Sequence, residues 1–489
     1  MTDISKSDKV SSEEASLPEA HYVPDEETQE LSSKQQKSSF FTILASAFGL
    51  ISDGYQNNLM TMSNVVFTTL YPKDYTASVK TRVSNSLLVG AVLGQVIVGV
   101  ICDRLGRKFA LVGTTLMIVL GGILGTAAHG AGGSVEGLFW FLTVARGITG
   151  IGVGGEYPAS STSASEAANE RSISQRGPLF IMVTNFVLSF GGPLAVAVFL
   201  IVLSAAGEDH LPTVWRVCFG IGVLLPLTVF YFRARMLTTR LYRDGAIKHR
   251  VPYVLSVKRY WKSLIGTCGA WFLYDFVTFP NGVFSGTIIS SVVHNADIKK
   301  TAEWQLLLGT IALPGVFVGA PLCNRLGRRN TMMLGFSGYL IFGLIIGCAY
   351  EKITGIIPLF IVFYGLMQSF GNLGPGNMLG LVSAESYPTP IRGTFYGFSA
   401  AIGKVGAAVG TQAFTPIQDN LGKKWTFIIA AICGVTGILV TYFFVPDMTG
   451  VDLGDEDAAF VQYLNEQGWN GEVGEKESVV SVDMVAVKQ

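Results

Sequence analysis

The sequence predicts an all-α membrane protein with twelve transmembrane helices, arranged as two pseudo-symmetric halves of six. The 489 residues are 49% hydrophobic and only 14% charged, whereas soluble chains carry about a quarter charged residues. The apolar residues gather in twelve runs, each close to the ~20 residues that a helix needs to cross a hydrocarbon core. A motif at the end of the second run recurs at the end of the eighth. So many runs of membrane length exclude the alternative, a large soluble all-α protein.

The twelve runs give the order of the elements along the chain. They cover residues 40–60, 84–102, 109–129, 138–158, 178–203, 214–232, 263–285, 302–322, 331–349, 356–382, 394–416 and 425–445. A polar tail rich in Ser and Glu precedes them, and its low apolar content predicts disorder. The predicted segments are a disordered tail at 1–38, a first half at 39–232, a basic linker at 233–262, a second half at 263–446 and a second tail at 447–489.

Positive charge is concentrated in the linker and in short loops that fall on one side of the predicted bundle. Arg233 opens a linker with many basic residues and a single acid, and the loops at 104–108 and 325–329 are also basic. Cytoplasmic loops carry such an excess, so we expect both termini in the cytoplasm. The formal net charge is zero, which gives no indication of a nucleic-acid partner.

An internal repeat relates the two halves. The motif VGVICDRLGRK at 98–108 recurs as VGAPLCNRLGRR at 318–329. Nearly the same offset carries Asp53 in the first run onto Asp275 in the seventh, so two acids occupy equivalent depths in the two halves. Repeated halves with a site between them near the midplane are common in transporters. The repeat therefore predicts a transport site at the interface of the halves.

Several motifs carry a family resemblance over residues 40–455. The 98–108 motif, the R-G-x-x-G-x-G stretch that starts at Arg146, and PDMTGVDLGDED after the last run resemble the major facilitator superfamily. GGEYPASS, WFLYDF and SAAIGKVGAAVG resemble the fungal phosphate:proton symporters, and EYPASSTSASEAANE is most similar to their glycerophosphodiester permeases. The resemblance implies a monomeric, proton-coupled importer of glycerophosphoinositol or glycerophosphocholine, which works by alternating access in the plasma membrane.

Three acids at membrane depth are candidate proton carriers. An ionisable group in the bilayer is costly, and by default it marks a substrate or ion pathway. Asp53 lies halfway along the first run, Glu156 follows a glycine-rich stretch in the fourth, and Asp275 lies in the seventh. We expect all three to face one buried lysine, Lys404, and the resemblance places a proton-handling Asp at position 53. The alternative is that these acids form structural contacts between helices.

The seventh and eleventh runs carry the predicted phosphate site. Trp271, Asp275 and Phe279 are spaced four residues apart, which places them on one face of a helix. Lys404 is the only lysine of the eleventh run. We predict that it attracts the substrate phosphate and pairs with Asp275, and the resemblance puts Trp271 and Asp275 at the substrate. The alternatives are an aromatic core stripe and a purely structural ion pair.

Four further positions complete the predicted substrate site: Tyr157, Asn185, Asn372 and Gly376. Tyr157 can donate a hydrogen bond to a phosphate oxygen, and Asn185 in the fifth run can donate and accept. The resemblance implies that inorganic phosphate carriers have an Asn at the position of Gly376. The missing side chain of this glycine leaves room for a larger head group. Asn372 and Asn377 can replace the hydrogen bond that this glycine removes.

The repeated loop motif is a candidate conformational latch. The residues assigned to it are Asp103, Arg104, Gly106, Arg107 and Lys108. The resemblance gives Asp103 the central role, with its charge near an arginine and a helix N-terminus. Asn324 replaces it in the second copy, so we expect a stronger latch in the first half. Glu166 and Glu385 are predicted to contact loop arginines, and the alternative is that the motif only anchors the chain by the positive-inside rule.

The predicted function is proton-coupled import of glycerophosphodiesters. The expected partners are a small anionic or zwitterionic phosphate-containing solute and the lipid bilayer. The alternatives are an inorganic phosphate:proton symporter, an inositol or sugar carrier, which would not need Lys404, and a nutrient receptor that does not transport. An enzyme is not expected, because the chain lacks a G-x-x-x-x-G-K-[ST] nucleotide loop and clustered metal ligands. No cofactor is predicted other than the coupling proton.

Overall fold

The computed structural model of the protein describes residues 26–234, 240–247, 251–293 and 297–473. In these ranges all regular secondary structure is helical. Ser38–Gln489 form one compact unit, and of Met1–Lys37 the part from Glu26 onward is helical. Residues 1–25, for which disorder is predicted, and residues 474–489 of the second tail lie outside the described residues.

Six helical spans make up the first half. The fifth span consists of two α-helices joined by a π-helical segment, and a short helix follows in the linker. The elements are α1 Glu26–Leu70, α2 Ala77–Arg104, α3 Arg107–Thr126, α4 Val135–Arg171, α5 Arg176–Ile181, the π segment Met182–Phe186, α6 Val187–Ala206, α7 Leu211–Ala234 and α8 Arg240–Gly245.

The second half repeats this plan and adds a helix after its last span. The eighth and tenth spans are each built from two α-helices. The elements are α9 Tyr253–Ser290, α10 Ile298–Ala312, α11 Pro314–Arg325, α12 Arg328–Cys348, α13 Tyr350–Thr354, α14 Ile357–Gly371, the π segment Asn372–Gly376, α15 Asn377–Glu385, α16 Arg392–Leu421, α17 Lys424–Phe444 and α18 Leu453–Glu466.

All twelve apolar runs coincide with helical spans. Within the described ranges, nine spans are long and apolar enough to cross a membrane by length and composition alone. The other three are α1, α9 and α16, and these helices carry Asp53, Asp275 and Lys404. The three helices that carry these charges are therefore also those with the weakest hydropathy signal. The domain boundaries proposed from the sequence stay predictions.

Small residues set the spacing of the helices in the first half. Gly150 and Gly154 of α4 lie directly against the backbone of Leu87 and Ala91 in α2, where an added Cβ would collide. Such small-residue contacts let membrane helices approach closely. The glycine-rich stretch before Glu156 thus holds α4 against α2, and the acid that follows it is fixed in position.

The repeated loop motif contains the same turn in both halves. Gly106, between α2 and α3, and Gly327, between α11 and α12, have φ values of +100° and +85°. Residues with a Cβ rarely adopt this backbone conformation, whereas glycine does so at little cost. The glycine of the motif is therefore required for the turn, and we call this end of the bundle the motif end.

The fifth and tenth spans are interrupted at equivalent places by π-helical segments of five residues each, Met182–Phe186 and Asn372–Gly376. Such segments are rare and are often found at functional sites, because the extra residue per turn changes the direction of side chains. One segment contains Asn185 and the other begins at Asn372, so both halves present an amide at this level.

Candidate substrate site and its charge clusters

One cavity between the halves is lined by every residue that the sequence analysis assigned to substrate binding. The cavity wall is formed by both π segments and by helices α1, α4, α6, α9, α10, α12, α14 and α16. The predicted residues in the lining are Tyr157, Asn185, Trp271, Asp275, Phe279, Asn372, Gly376 and Lys404. Two of the three predicted proton carriers, Asp53 and Glu156, are not in the lining.

The centre of the cavity wall is an ion pair. Lys404 Nζ lies 2.8 Å from Asp275 Oδ2, which is the contact predicted from the sequence. Each side chain is only 1% exposed. Removing two charges from water is costly, and their attraction compensates only while the geometry is good and both partners are present. If one partner moved away, the other would be an unpaired buried charge, and binding another ion of opposite charge would stabilise it.

Aromatic rings enclose the lysine of this pair. Lys404 Nζ lies 3.9 Å from the ring centroid of Phe279, 5.0 Å from that of Tyr157 and 5.7 Å from that of Trp271. Rings at these distances attract a cation. The indole Nε1 of Trp271 donates to Ser383 Oγ at 3.1 Å, which fixes the ring. The aromatic stripe of α9 thus surrounds a charge at the cavity rather than filling an apolar core.

The amides of the two π segments hold the helices around them and border the cavity. Asn185 Nδ2 donates to Asn377 Oδ1 at 2.7 Å, which joins the two halves. Asn372 Nδ2 donates to the Ala312 carbonyl at 2.9 Å. At Gly376 an added Cβ would lie 2.8 Å from Tyr274 Oη and 3.3 Å from Asn185 Nδ2. The glycine therefore keeps open a space that a side chain would crowd.

The lining also includes polar residues that the sequence analysis missed. Asn57 in α1 and Gln305 in α10 line the cavity, and within the described part of the chain Asn57 Oδ1 and Gln305 Oε1 accept no hydrogen bond. Asn57 lies one turn after Asp53, so an amide repeating at helical spacing in an apolar run was the available signal. For Gln305, no sequence signal separated it from a lipid-facing or packing position.

The expectation that Glu156 faces Lys404 is wrong. Its carboxylate accepts from Thr114 Oγ1 at 3.0 Å, from Ser160 Oγ at 2.7 Å and from Arg233 Nη1 at 2.8 Å, and it also contacts Arg233 Nη2. Arg233, which the sequence analysis counted among the linker charges, belongs to the last turn of α7 and is only 1% exposed. This cation takes Glu156 away from the lysine.

Asp53 is fully buried on α1. Among the described residues, neither oxygen of its carboxyl group has a hydrogen-bond partner. The charged groups that act on it electrostatically are Glu156 and Arg233. The structure therefore divides the predicted acids into two groups: Asp275 with the lysine, and Asp53 with Glu156 and an arginine that the sequence analysis had placed elsewhere.

At the motif end, a first charge cluster joins the loop motif of the first half to α16 of the second. Arg107 Nη1 lies 2.7 Å from Asp103 Oδ1, and Arg107 Nη2 lies 2.8 Å from Glu166 Oε1. Asp103 also accepts from the backbone N–H groups of Gly393 and Thr394 at 2.9 and 2.7 Å. These are first-turn donors of α16, which attract an anion. Asp103 thus meets both an arginine and a helix N-terminus, as predicted.

A second charge cluster mirrors the first. Glu385 Oε1 lies 2.8 Å from Arg176 Nε of the first half and 3.1 Å from Arg328 Nη2 of its own half. Asn324 replaces the motif Asp, accepts from Arg328 Nη1 at 2.7 Å and donates to the Ser174 carbonyl at 2.8 Å. The predicted contacts of Glu166 and Glu385 with motif arginines are therefore confirmed.

Each cluster contains an arginine from the opposite half. Arg392 Nη1 lies 3.0 Å from Glu166 Oε1, and Arg176 reaches Glu385 in the same way. Of the other motif residues, Arg104 and Lys108 are exposed and belong to neither cluster. The two clusters hold the motif ends of the halves together.

The helix α18 covers the motif end and contacts both halves. The Gly454 N–H and the Asn169 side chain of α4 donate to Asp452, and these bonds lower the pKa of that carboxyl group. Asp457 accepts from the N–H and Oγ1 of Thr389, both at 2.6 Å. Part of the segment that the sequence analysis described only as a polar tail is therefore a folded element.

Contacts between the halves also occur on the opposite side of the cavity. Thr61 Oγ1 of α1 donates to the Gly282 carbonyl of α9 at 3.1 Å, and Asn64 Nδ2 donates to the Val283 carbonyl at 3.3 Å. Lys80 Nζ also donates to Thr287 Oγ1 at 3.2 Å. Among the described residues the contacts on this side are few and include no ion pair, whereas those at the motif end include several. The cavity thus lies between two sets of contacts of unequal strength.

The fold and the site together define a membrane transporter with a central cavity between two six-helix halves. The structure of the proton:xylose symporter XylE of E. coli, a major facilitator superfamily protein, superposes with a TM-score of 0.73, covering 87% of this chain and 99% of that one at 17% identity. This similarity confirms the predicted fold class.

The sequence comparisons identify the family. The model of the family described as "Sugar (and other) transporter" matches residues 38–460, and the chain belongs to that family. Glycerophosphoinositol permease 1 of Candida albicans is 56% identical over 93% of this chain and 88% of its own length. Glycerophosphoinositol transporter 1 of Saccharomyces cerevisiae is 53% identical over 91% and 86%. The protein is therefore a multi-pass membrane transporter and not an enzyme, as predicted.

Proposed function

We propose that the protein imports glycerophosphodiesters, glycerophosphoinositol and glycerophosphocholine, by alternating access coupled to protons. The observation that carries this proposal is the Lys404–Asp275 pair, which stands in the wall of a cavity between the halves and is enclosed by aromatic rings. A cation at such depth is expensive, so a substrate anion is a reason for keeping it. The two yeast relatives, both named for glycerophosphoinositol, support the same substrate class.

The phosphate group would exchange with Asp275 as the partner of the lysine. A phosphodiester carries one negative charge, so it can replace the carboxylate at Lys404 provided that Asp275 takes up a proton or finds another donor. Tyr157 and Trp271 beside the lysine then bound the phosphate subsite. This exchange links occupancy of the site to the contacts between α9 and α16, and so to the relative position of the halves.

An inorganic phosphate symporter is the main alternative, because free phosphate could use the same lysine. Two features favour the phosphodiester. Gly376 leaves open a space beside Tyr274 and Asn185 that a side chain would crowd. Asn57 and Gln305 add acceptors to the same cavity, as a polyhydroxylated head group requires. A sugar or inositol carrier would not need the lysine, and a receptor would not need the paired charge clusters.

We further propose that the motif end faces the cytoplasm and that the protein acts as a monomer in the plasma membrane. The basic loops and the linker lie at this end, as the positive-inside rule requires of cytoplasmic loops. With that orientation, α18 and both charge clusters close the cytoplasmic side. Substrate would then enter from the opposite side, where the contacts between the halves are fewer.

The test is uptake of radiolabelled glycerophosphoinositol by yeast cells that lack their own glycerophosphodiester permeases. We expect saturable uptake that rises as the external pH falls, that stops with an uncoupler, and that unlabelled glycerophosphocholine reduces. Free inositol should not compete, because it has no phosphate. Full inhibition by phosphate with none by either glycerophosphodiester would overturn the proposed substrate, and uptake insensitive to pH and uncoupler would overturn the coupling.

A further inference from the structure

We propose that Arg233 is the positioning residue of the coupling proton: it holds Glu156 while Asp53 is protonated, and it turns to Asp53 when the proton leaves. The inference rests on the proposed proton coupling and deepens it. Arg233 lies outside the substrate cavity and is not among the residues that the sequence analysis selected for function. Its proposed role is to compensate whichever charge the proton leaves behind.

The three side chains form a closed group between α1, α4 and α7. Asp53 and Glu156 are 0% exposed and Arg233 is 1% exposed. Two carboxyl groups therefore share one cation in a place without water. Because an isolated buried carboxylate is very costly, the acid that does not contact the arginine is neutral in this closed conformation.

The hydrogen bonds show which carboxyl group is neutral. Glu156 accepts from Thr114, Ser160 and both terminal nitrogens of Arg233, as expected of a carboxylate. Asp53, by contrast, has no donor to either oxygen within the described part of the chain. An ionised group would leave both oxygens uncompensated, so Asp53 is the group that carries the proton in this conformation.

The unsatisfied atoms on the two sides are complementary. In the described residues, Arg233 Nε is a buried donor that has no acceptor, and Asp53 presents two buried acceptors that have no donor. Unmade hydrogen bonds of buried groups are rare and each costs free energy. A movement that brings Arg233 to Asp53 would satisfy atoms of both residues at once, and Thr114 and Ser160 would still donate to Glu156.

The backbone of α1 leaves the room that this movement needs. Gly49 precedes Asp53 by one helical turn and lies on the same face. An added Cβ at Gly49 would lie 2.7 Å from Arg233 Cζ and would also collide with the terminal nitrogen of the arginine and with Glu156. The guanidinium group therefore packs directly against the turn of α1 that carries Asp53, and any side chain at Gly49 would separate them.

Few other titratable groups face Asp53. From α4 they are Glu156 and Tyr157, and from α7 it is Arg233. Beside the adjacent Gly54, the nearest atoms of α6 are backbone atoms of Leu188 and Gly191.

Tyr157 connects this group to the substrate site. It is within electrostatic range of both Asp53 and Asp275, and its ring lies 5.0 Å from Lys404 Nζ. Tyr157 is therefore the residue that adjoins the lysine pair and also interacts with the charge of Asp53.

The step conserves charge and atoms. Protonated Asp53 releases its proton to water on the cytoplasmic side and becomes a carboxylate, and Arg233 remains a guanidinium throughout. Arg233 then contacts Asp53, and Glu156 keeps its hydroxyl donors Thr114 and Ser160, so the group carries one net negative charge while it is open to water on the cytoplasmic side. The neutral Asp53 state and the Arg233-paired state thus correspond to the loaded and unloaded carrier.

The experiment uses the full chain in proteoliposomes and compares two activities. One is accumulation of glycerophosphoinositol driven by an imposed pH gradient, and the other is exchange of labelled for unlabelled substrate at equal pH. The variants are Asp53→Asn, the double variant Arg233→Gln with Glu156→Gln, and the triple variant that combines them. The double variant avoids leaving Glu156 as an unpaired buried charge. Arg243→Gln, an exposed position in α8, is the matched control.

We expect the double variant to keep exchange but to lose gradient-driven accumulation by about 5- to 150-fold, the range of typical coupling energies. The effect of the cation is isolated by a further variant, Glu156→Gln alone: relative to it, the double variant should show a rise of about one unit or more in the pH at which substrate affinity falls by half, because only the double variant lacks the cation beside Asp53. The triple variant should be no worse than Asp53→Asn alone, since both changes remove the same step. Arg233→Lys, which keeps the charge, should restore part of the accumulation.

Two results would overturn the assignment of Arg233: accumulation and a pH profile like those of the wild type in the double variant, or losses that simply add in the triple variant. Either would mean that the arginine only neutralises Glu156. A wild-type protein that exchanges substrate but does not respond to the pH gradient is a different failure. It would refute the proposed proton coupling itself, before any variant is compared.

Discussion

Removal of the positive charge at Lys404 should abolish high-affinity substrate binding, and the neighbouring acid determines how the change must be made. Lys404 and Asp275 are both 1% exposed and lie 2.8 Å apart. A single Lys404→Gln change leaves Asp275 as an unpaired buried charge, and breaking a buried pair costs about 3–5 kcal/mol. Loss of uptake in that variant could therefore reflect misfolding. The double variant Lys404→Gln with Asp275→Asn removes both charges and keeps a hydrogen-bonding pair of similar size.

The expected size of the effect follows from the kind of contact that is lost. A hydrogen bond to a charged group contributes about 1.5–3 kcal/mol, and every 1.4 kcal/mol is tenfold in affinity. The double variant should therefore bind glycerophosphoinositol about 10- to 150-fold more weakly than the wild type. The Asp275→Asn variant keeps the lysine free for the phosphate, so its affinity should equal or exceed that of the wild type while its transport rate falls.

The assay combines surface expression with the concentration dependence of radiolabelled uptake for the two single variants and the double variant. Recovery of surface expression in the double variant, together with the loss of affinity, is the expected pattern. A double variant that reaches the surface and takes up glycerophosphoinositol with wild-type affinity would refute the reasoning, because Lys404 would then have no part in holding the phosphate.

Three further predictions concern the cavity and the motif end. Gly376→Asn should lower uptake of glycerophosphodiesters about 5- to 150-fold while affecting phosphate less, because the added side chain starts 2.8 Å from a tyrosine oxygen and such overpacking costs about 1–3 kcal/mol. Competition assays measure the ratio, and an equal loss for both substrates would count against this prediction. Replacing Asn57 or Gln305 by leucine should reduce the affinity for glycerophosphoinositol about 5- to 10-fold, because each hydrogen bond contributes about 1 kcal/mol. The affinity for glycerophosphocholine should stay nearly unchanged, and separate uptake curves for the two substrates measure the difference. Asp103→Ala should slow uptake more than Asn324→Ala, because the acid accepts from an arginine and from two first-turn N–H groups of another helix. Equal uptake rates of the two variants at equal surface expression would contradict the predicted asymmetry.

The fold was predictable because each membrane helix requires an apolar run of a defined length, which is visible in the sequence. All twelve runs became helical spans, and the repeated motif marked the equivalent ends of the two halves. The breaks within the spans were not predicted. The π segments at Met182–Phe186 and Asn372–Gly376 depend on tertiary packing around the cavity. No local pattern of residues predicts them.

The site was predictable where one helix face or one rare residue identified it. Trp271, Asp275 and Phe279 share a face, and Lys404 is conspicuous in an apolar run, so their convergence could be expected. Arg233 could not be found in this way. It lies at the end of a helix next to a basic linker, so the sequence does not distinguish it from the other cytoplasmic charges. Only the tertiary structure shows that its side chain contacts Thr115 of α3 and Glu156 of α4.

The assignment of Glu156 failed for the same reason. Hydropathy shows the depth of a side chain in the membrane but not its direction around the helix. At the same depth one face of α4 meets the cavity, where Tyr157 lies, and the next residue back meets α3 and α7. A shift of one residue along the helix separates a substrate contact from a buried ion pair.

The weak apolarity of α1, α9 and α16 has a consequence for how the chain enters the membrane. An isolated lysine or aspartate at the centre of a membrane helix opposes insertion by about 2.5–3.5 kcal/mol. Asp275 and Lys404 cancel this cost only when they meet, and 129 residues separate them in the sequence. We therefore expect α9 to stay in contact with the insertion machinery or with earlier helices until α16 has been synthesised. The residues proposed to hold the substrate thus also set the order in which the second half can assemble.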